Sequence, residues 1–244
     1  MENNAAKTKV REILEDYIRW LEVKESKEYV RSDWKYKDAK RLEFDNDAKY
    51  YKDQEELKDE DALHADTIFS FWTPYKTLLL RNANWTVSKT VKSINALLEQ
   101  SDATHPNKIT SKILEVNTKI EAFASVCYTR GNYMLLPKRE MNNYRYQVTE
   151  DRIDMTLYEA FDKGALSKFF PKENDLYKWI EKENLLSLFV DNEVSRTKIN
   201  WLINENNPKL ISEMSAKEIY SYLKEGTEFI AKRNIEYSIK KAIL

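Results

Sequence analysis

The chain has few of the residues that most catalytic and metal-binding sites require. Its 244 residues include one cysteine, Cys127, and two histidines, His64 and His105. A single cysteine excludes an intrachain disulfide and favours a reducing compartment, so we expect a cytoplasmic protein. The phosphate-binding loop, the dinucleotide-binding glycine pattern and the Cys-x-x-Cys and His-Glu-x-x-His motifs are absent. We therefore predict no catalytic residue, no metal and no cofactor, and we favour a protein that is not an enzyme.

Turn-forming residues and long apolar runs are also scarce. Three glycines and five prolines leave few places where helices must break. No apolar run approaches the roughly 18 residues that a membrane span needs, so we expect a soluble protein that does not use a membrane. The 40 basic residues balance the 41 acidic ones, which leaves no overall positive charge to attract nucleic acid.

Apolar residues recur at helical spacing along most of the chain. The clearest series occupies one face of a helix of about five turns and consists of Ile109, Ile113, Val116, Ile120, Phe123 and Cys127. Similar series predict helices over residues 68–79, 87–98, 175–189 and 194–203. Ser215 and Glu218 form a capping box that begins a long terminal helix. The sequence therefore predicts an all-α protein, a multi-helix globular bundle.

One stretch departs from this helical pattern. Between residues 132 and 148, Tyr144, Tyr146 and Val148 alternate with polar residues, which predicts at most one short β-hairpin or an extended loop. Gly131 stands just before this stretch. There a glycine in the left-handed conformation ends a helix without steric cost, so we interpret it as a helix stop.

The first quarter of the chain differs in character from the rest. We interpret residues 1–62 as a charged helical arm or hairpin and residues 63–244 as the helical core, with one continuous domain as the alternative. The arm contains the best local match to a basic and aromatic nucleic-acid patch. Its residues are Trp34, Lys35, Tyr36, Lys37, Lys40 and Arg41. Because acidic residues follow closely, we consider nucleic acid a less favoured partner.

Two charged residues fall on faces that are otherwise apolar. Arg233 lies on the stripe that runs from Ile219 to Tyr237, and Asp154 shares a face with Leu157. Buried charges are costly unless they are paired and hydrogen-bonded. The two residues therefore belong either to a structural network or to the wall of a polar pocket.

Four short motifs suggest a relationship. They are Asp66-Thr67-x-x-Ser70-Phe71-x-Thr73, Thr129-x-Gly131-Asn132 followed by Pro137, Asp151-x-x-Asp154-x-Thr156-Leu157, and Ile230-x-x-Arg233. In this order they resemble a family of bacterial proteins, mainly from Gram-positive genomes, for which no activity is established. The resemblance covers roughly residues 63–240. We expect a cluster of five polar residues where the 132–148 segment meets the helices, formed by Asp66, Asn132, Arg145, Asp154 and Arg233. We expect Arg233 to be buried against a carboxylate, with Asp154 the first candidate and Asp66 the second.

Three functional hypotheses remain open at this point. The favoured one is a non-enzymatic intracellular binding protein whose partner is another protein, in a setting such as conflict between a host and mobile elements. Its support is a charged surface combined with 15 tyrosines and 6 tryptophans, residue types that are enriched at interfaces. The alternative is an enzyme or sensor for a small phosphorylated or nucleotide-like ligand, with Arg145 and Arg233 binding the anion. The third is nucleic-acid binding through residues 34–41.

Overall fold

Helices dominate the part of the chain that the structure describes. This computed structural model describes residues 7–26, 64–86, 91–172, 174–203 and 208–243. Its α-helices are α1 (Lys9–Ser26), α2 (Trp72–Leu78), α3 (Val91–Ser101), α4 (Lys108–Val126), α5 (Met141–Thr149), α6 (Ile153–Ala160), α7 (Asp175–Lys182) and α8 (Ala216–Ile243). Two strands, β1 (His64–Thr67) and β2 (Tyr133–Leu136), form one antiparallel sheet. The expectation of a mainly helical globular fold is thus confirmed.

Helix α4 is the central element of the core. Asn107 begins it, because the Asn107 side chain accepts hydrogen bonds from the backbone N–H groups of Ile109 and Thr110. The apolar face predicted from the sequence is buried along its length, with the exception of Ile109, which is exposed in the first turn. Helices α1, α3 and α8 pack against this helix. Helix α8 begins with the predicted capping box, in which Ser215 N–H donates to Glu218 and Glu218 N–H donates to Ser215.

The sheet is not the local hairpin that the sequence suggested. Strand β2 pairs with the distant strand β1, with Asp66 opposite Met134. The alternating tyrosines are not in a strand either, because residues 141–149 form helix α5. The buried face of that helix consists of Met141, Arg145 and Thr149, spaced four residues apart. A face with only one apolar residue carries no hydrophobic signal, which is why the exposed tyrosines misled the prediction.

Three predicted helices have different bounds or are not helical. The segment 194–203 contains only a short 3₁₀ turn, Arg196–Lys198, and Ile199 forms an isolated bridge with Phe189. Helix α7 ends at Lys182, well before residue 189. Residues 68–71 precede α2 and are not helical, and α2 continues directly into a π-helical turn at Leu79–Ala83. In these places tertiary contacts override a short apolar pattern.

Gly131 does not act as a left-handed helix stop, contrary to our interpretation. None of the three glycines has a positive φ angle. Helix α4 ends at Val126, and Gly131 lies in a 3₁₀ turn, Arg130–Asn132, that passes directly against α8. A Cβ atom at position 131 would lie 2.4 Å from the carbonyl oxygen of Ile230 and 2.9 Å from the backbone nitrogen of Asn234. Glycine is required here because two backbones come too close to admit any side chain.

The N-terminal helix belongs to the core. Five of its apolar residues are buried, and α1 packs against α3 and α4. The predicted boundary near residue 62 and the basic and aromatic patch at residues 34–41 lie outside the described residues. Within the described part of the chain, none of the helices combines the length and hydrophobicity that a membrane span requires.

The close approach at Gly131 predicts a specific difference between two glycine substitutions. Gly131→Ala should destabilise the protein by about 2–3 kcal/mol, because neither backbone can move without displacing a whole helix. Gly226→Ala should lower the free energy of unfolding by a smaller amount. Its new Cβ would meet the ring of Phe69, which is a side chain, at 2.7 Å, and alanine favours the helix by roughly 1 kcal/mol. Urea unfolding of both variants measures the difference, and equal costs would contradict the explanation.

Candidate functional site

Arg145 uses its whole guanidinium to hold the segment that follows β1. Its Nη1 donates to Asp66 Oδ2 at 2.6 Å and to the Thr67 carbonyl at 2.7 Å. Its Nη2 donates to the carbonyls of Ile68 and Asp151, and its Nε donates to Thr156 Oγ1. The five N–H groups of an arginine are thereby all used, on a side chain that is fully buried. None of its donors remains for a ligand.

Asn132 extends the two-stranded sheet with its side chain. The Asn132 carbonyl accepts from Ile68 N–H at 2.7 Å, which continues the β1–β2 pairing by one step. Beyond it, the Asn132 amide accepts from Phe69 N–H and donates to the Phe69 carbonyl, both at 2.9 Å, as a strand backbone would. The second amide hydrogen binds the Cys127 carbonyl at the end of α4. This arrangement explains why an amide is needed after Gly131, because a carboxylate could not donate.

Asp154 pairs with Arg152. Both side chains are fully buried, and the two carboxylate oxygens accept from Arg152 Nε and Nη2 at 2.7 Å each. The pair is bidentate, which is the strongest geometry for an arginine and a carboxylate. Arg152 also donates to the carbonyls of Ile203 and Lys209, and Asp154 accepts from Leu202 N–H. The pair therefore ties the segment after residue 200 to α6.

Arg233 is buried, as predicted, but its expected carboxylate partner is wrong. The residue is 2% exposed, and its Nη1 donates to the carbonyls of Gly131 and Tyr133 at 2.6 and 3.2 Å. Its Nη2 donates to the carbonyl of Glu183 and to the Tyr237 hydroxyl. Among the described residues, no carboxylate oxygen lies within ion-pair distance of its guanidinium. Asp154 and Asp66 are paired instead with Arg152 and Arg145.

Two side chains near α7 complete the outer edge of the sheet. Glu183 Oε2 accepts from Leu135 N–H at 2.9 Å, and the indole nitrogen of Trp179 donates to the Leu135 carbonyl at 2.7 Å. The edge of β2 is thus satisfied by side chains where a third strand would otherwise pair. Burial raises the pKa of Glu183 to about 7, although the Leu135 N–H and the charge of Arg233 both act to lower it.

The five predicted residues lie along one continuous network, but only Asp66 and Arg145 touch through their side chains. Arg145 and Asn132 hold the same backbone segment, residues 67–69, from two sides. Thr156 joins Arg145 to the Arg152–Asp154 pair, since it accepts from Arg145 Nε and donates to the Arg152 carbonyl. Each contact is internal, so the arrangement holds backbone in place and presents no reactive group.

Sequence reasoning missed Arg152 and Glu183, although each leaves a signal. Arg152 is the residue that precedes the first turn of α6, and Glu183 is the residue that follows the last turn of α7. Cations at the start of a helix and anions at its end oppose the helix dipole. A cation at the start of a helix or an anion at its end therefore indicates that the charged group has a tertiary partner elsewhere in the fold.

Comparisons with protein-family models, with curated proteins and with solved structures find no match to this chain. In the described ranges, no group of three or more histidine, cysteine, aspartate or glutamate side chains is arranged to hold a metal ion.

The five bonds of Arg145 predict that lysine cannot replace it. Arg145→Lys keeps the charge beside Asp66 but offers only three donors to five acceptors, so buried carbonyls lose their partners. We expect a loss of at least about 2 kcal/mol in the free energy of unfolding, measured in urea. Arg139→Lys, at an exposed position near the start of the same helix, is the matched control and should change stability by less than about 0.5 kcal/mol. Similar effects for the two variants would refute the role given to Arg145.

Glu183 predicts a specific dependence of stability on pH. The pKa of this carboxyl rises from an ordinary value of 4.5 to about 7 on folding, so the folded state holds its proton more tightly than the unfolded state does. The free energy of unfolding should therefore fall as the pH rises from about 4.5 to about 7, by up to about 3 kcal/mol, and level off above that range.

Glu183→Gln should remove this dependence, because glutamine can still accept from Leu135 N–H and does not ionise. The variant should become increasingly more stable than the parent between about pH 5 and about pH 8 in urea unfolding. Glu181→Gln, which changes an exposed carboxyl on the same helix, provides the control and should follow the parent. A parent and a Glu183→Gln variant with parallel pH profiles would show that burial does not shift this carboxyl.

Proposed function

We propose that this protein is a non-enzymatic intracellular binding protein that docks a segment of another protein on an apolar face formed by α4 and α8. The observation that supports the proposal most directly is a groove between these two helices. It has a volume of about 480 Å³ and is lined by Lys119, Ala122, Phe123, Tyr220, Leu223, Lys224, Thr227 and Glu228. We call it the α4–α8 groove.

The apolar face continues beyond the α4–α8 groove along α8. Lys119 lies over the ring of Tyr220 at 5.2 Å, and Gly131 meets Ile230 further along α8, so the two helices run side by side in the same direction. Helix α4 ends at Val126, and past that point Ile235 and Ile239 are 62% and 54% exposed. At 3.6 residues per turn, Ile235 lies in line with the rim of the groove at Lys224 and Glu228. Ile239, four residues further along, lies beside Ile235, and the two form one exposed apolar ridge.

The charges around the groove favour a particular occupant. Each of the two helices places one lysine on the lining, Lys119 from α4 and Lys224 from α8. Both pair with an exposed carboxylate on their own helix, Glu115 and Glu228. Exposed pairs of this kind contribute little stability, so carboxylates of a partner can replace them. An amphipathic helix fits this setting if its apolar residues are three or four positions apart and acidic residues flank them. The apolar stripe would fill the groove, and the flanking carboxylates would meet the lysines.

The polar network does not favour the alternative function, an enzyme or sensor for a small phosphorylated or nucleotide-like ligand. That hypothesis assigned the anion to Arg145 and Arg233, and Asp154 was the first candidate for the carboxylate beside Arg233. All the donors of Arg145 are used internally, and Asp154 is paired with Arg152. The nucleic-acid hypothesis rests on residues 34–41, which lie outside the described residues, and it stays a hypothesis.

Site-specific photo-crosslinking in the cells that make the protein tests the proposal. The photoreactive amino acid p-benzoylphenylalanine replaces Ile235, and the crosslinked peptide is identified by mass spectrometry. We expect a peptide from another protein, with acidic residues flanking apolar residues at helical spacing. The same amino acid in place of Ile109, which is exposed at the far end of α4, should not capture that peptide.

A second variant separates specific docking from random contact. Ile239→Asp should reduce the crosslink at position 235 by about tenfold, because a buried carboxylate opposes an apolar contact. Ile109→Asp should leave it unchanged. Capture of only a second copy of the chain, or equal capture at positions 235 and 109, would refute the proposal.

A further inference from the structure

A second, more polar pocket lies on a different face of α8. It has a volume of about 170 Å³ between α8 and the segment that follows α7, and it is lined by Asn184, Leu186, Ser187, Asn192, Phe229, Lys232, Arg233 and Glu236. None of these residues lines the α4–α8 groove. The volume suits a small ligand of a few heavy atoms, since one water molecule occupies about 30 Å³ of the liquid.

The charge of Arg233 is incompletely compensated inside the protein. Three backbone carbonyls and one hydroxyl bind its two terminal nitrogens, but its Nε–H has no acceptor among the described residues. An unsatisfied buried donor is costly, and more so on a charged group. Burial also lowers the pKa of Arg233, which is the expected response of a cation that lacks a full counter-charge.

The nearby acids Glu183 and Glu236 supply only part of that counter-charge. Glu183 turns its carboxylate to Leu135 N–H, and with a pKa near 7 it carries only part of a negative charge at neutral pH. Glu236 lines the pocket, but its Oε2 accepts from Asn184 Nδ2 at 2.5 Å. The lining therefore contains two cations, Lys232 and Arg233, against one carboxylate, which leaves a formal charge of +1.

We propose that this pocket binds a small oxyanion, a phosphate or carboxylate group, between Arg233 Nε–H and Lys232. The Arg233 Nε atom is itself buried, so a small movement of the lining side chains lets an oxyanion accept this N–H and supply the missing negative charge. Lys232 reaches the oxyanion from the exposed rim. Ser187 and Asn192 contribute further hydrogen-bonding groups to the lining. Leu186 and Phe229 form apolar walls, which strengthen the attraction by limiting access of water.

This inference concerns a site that the proposed docking function does not use. At 3.6 residues per turn, Phe229, Lys232, Arg233 and Glu236 share one side of α8, and the groove residues Leu223 and Thr227 face the other way. Loss of partner docking and loss of anion binding are therefore separate outcomes, each measured with its own variants.

Titration with sodium sulfate tests the proposal, because sulfate is an oxyanion whose charge does not change near neutral pH. The readouts are the ¹H–¹⁵N resonance of Arg233 Nε–H and the amide resonances of residues 184–192, at constant ionic strength maintained with sodium chloride. We expect saturable shifts of both sets with a millimolar dissociation constant. Phosphate and acetate, titrated in parallel, show which oxyanion class the pocket prefers.

The control variants keep the buried arginine intact, since Arg233 also holds the backbone of Gly131. Lys232→Ala should weaken sulfate binding about two- to fivefold, as expected for the loss of one exposed charge. Lys217→Ala removes an exposed lysine from the first turns of the same helix and should have no effect. Shifts that do not saturate, that chloride reproduces, or that both variants weaken equally would overturn the proposal.

Discussion

The structure depends on side-chain hydrogen bonds to two backbone segments that cross the interior and are not part of a helix. Residues 66–69 and 129–136 run through the core as two short strands with irregular extensions, and most of their residues are buried. Each buried N–H and carbonyl group needs a partner, and a two-stranded sheet supplies only some of them. Asn132, Arg145, Arg233, Glu183 and Trp179 supply many of the others with side-chain atoms.

This role explains the unusual burial of charge. Arg145, Arg152 and Arg233 are among the largest fully buried side chains. Arginine suits the task because one planar group can serve several carbonyls at fixed angles, which a lysine cannot do. Two of the three arginines are also neutralised by an aspartate. Arg233 is the exception, and its charge is balanced mainly by carbonyl dipoles.

Because these buried residues use their polar groups to hold the backbone, they are distinct from the surfaces that are available for function. The residues that the motifs single out hold the two irregular segments in place, and their hydrogen bonds are made inwards, with the Nε–H of Arg233 as the exception. Function is therefore better sought on the faces of α8, which carries an apolar groove and ridge on one side and a small cationic pocket on another. Both surfaces belong to the helix that also clamps Gly131, so a ligand at either one contacts an element central to the fold.

The sequence by itself determined the helical class, the extent of α4, the capping box of α8 and the burial of Arg233, because these depend on local spacing. Only the tertiary structure decided what Gly131 and Arg145 do, which aspartates Arg145 and Arg152 meet, and that Arg233 binds carbonyls. Gly131 faces a helix about 100 residues away in sequence, and the buried face of α5 is largely polar, so neither leaves a periodic apolar signal. Hydrogen-bond partners between distant segments depend on how those segments pack, and local spacing carries no information about that packing.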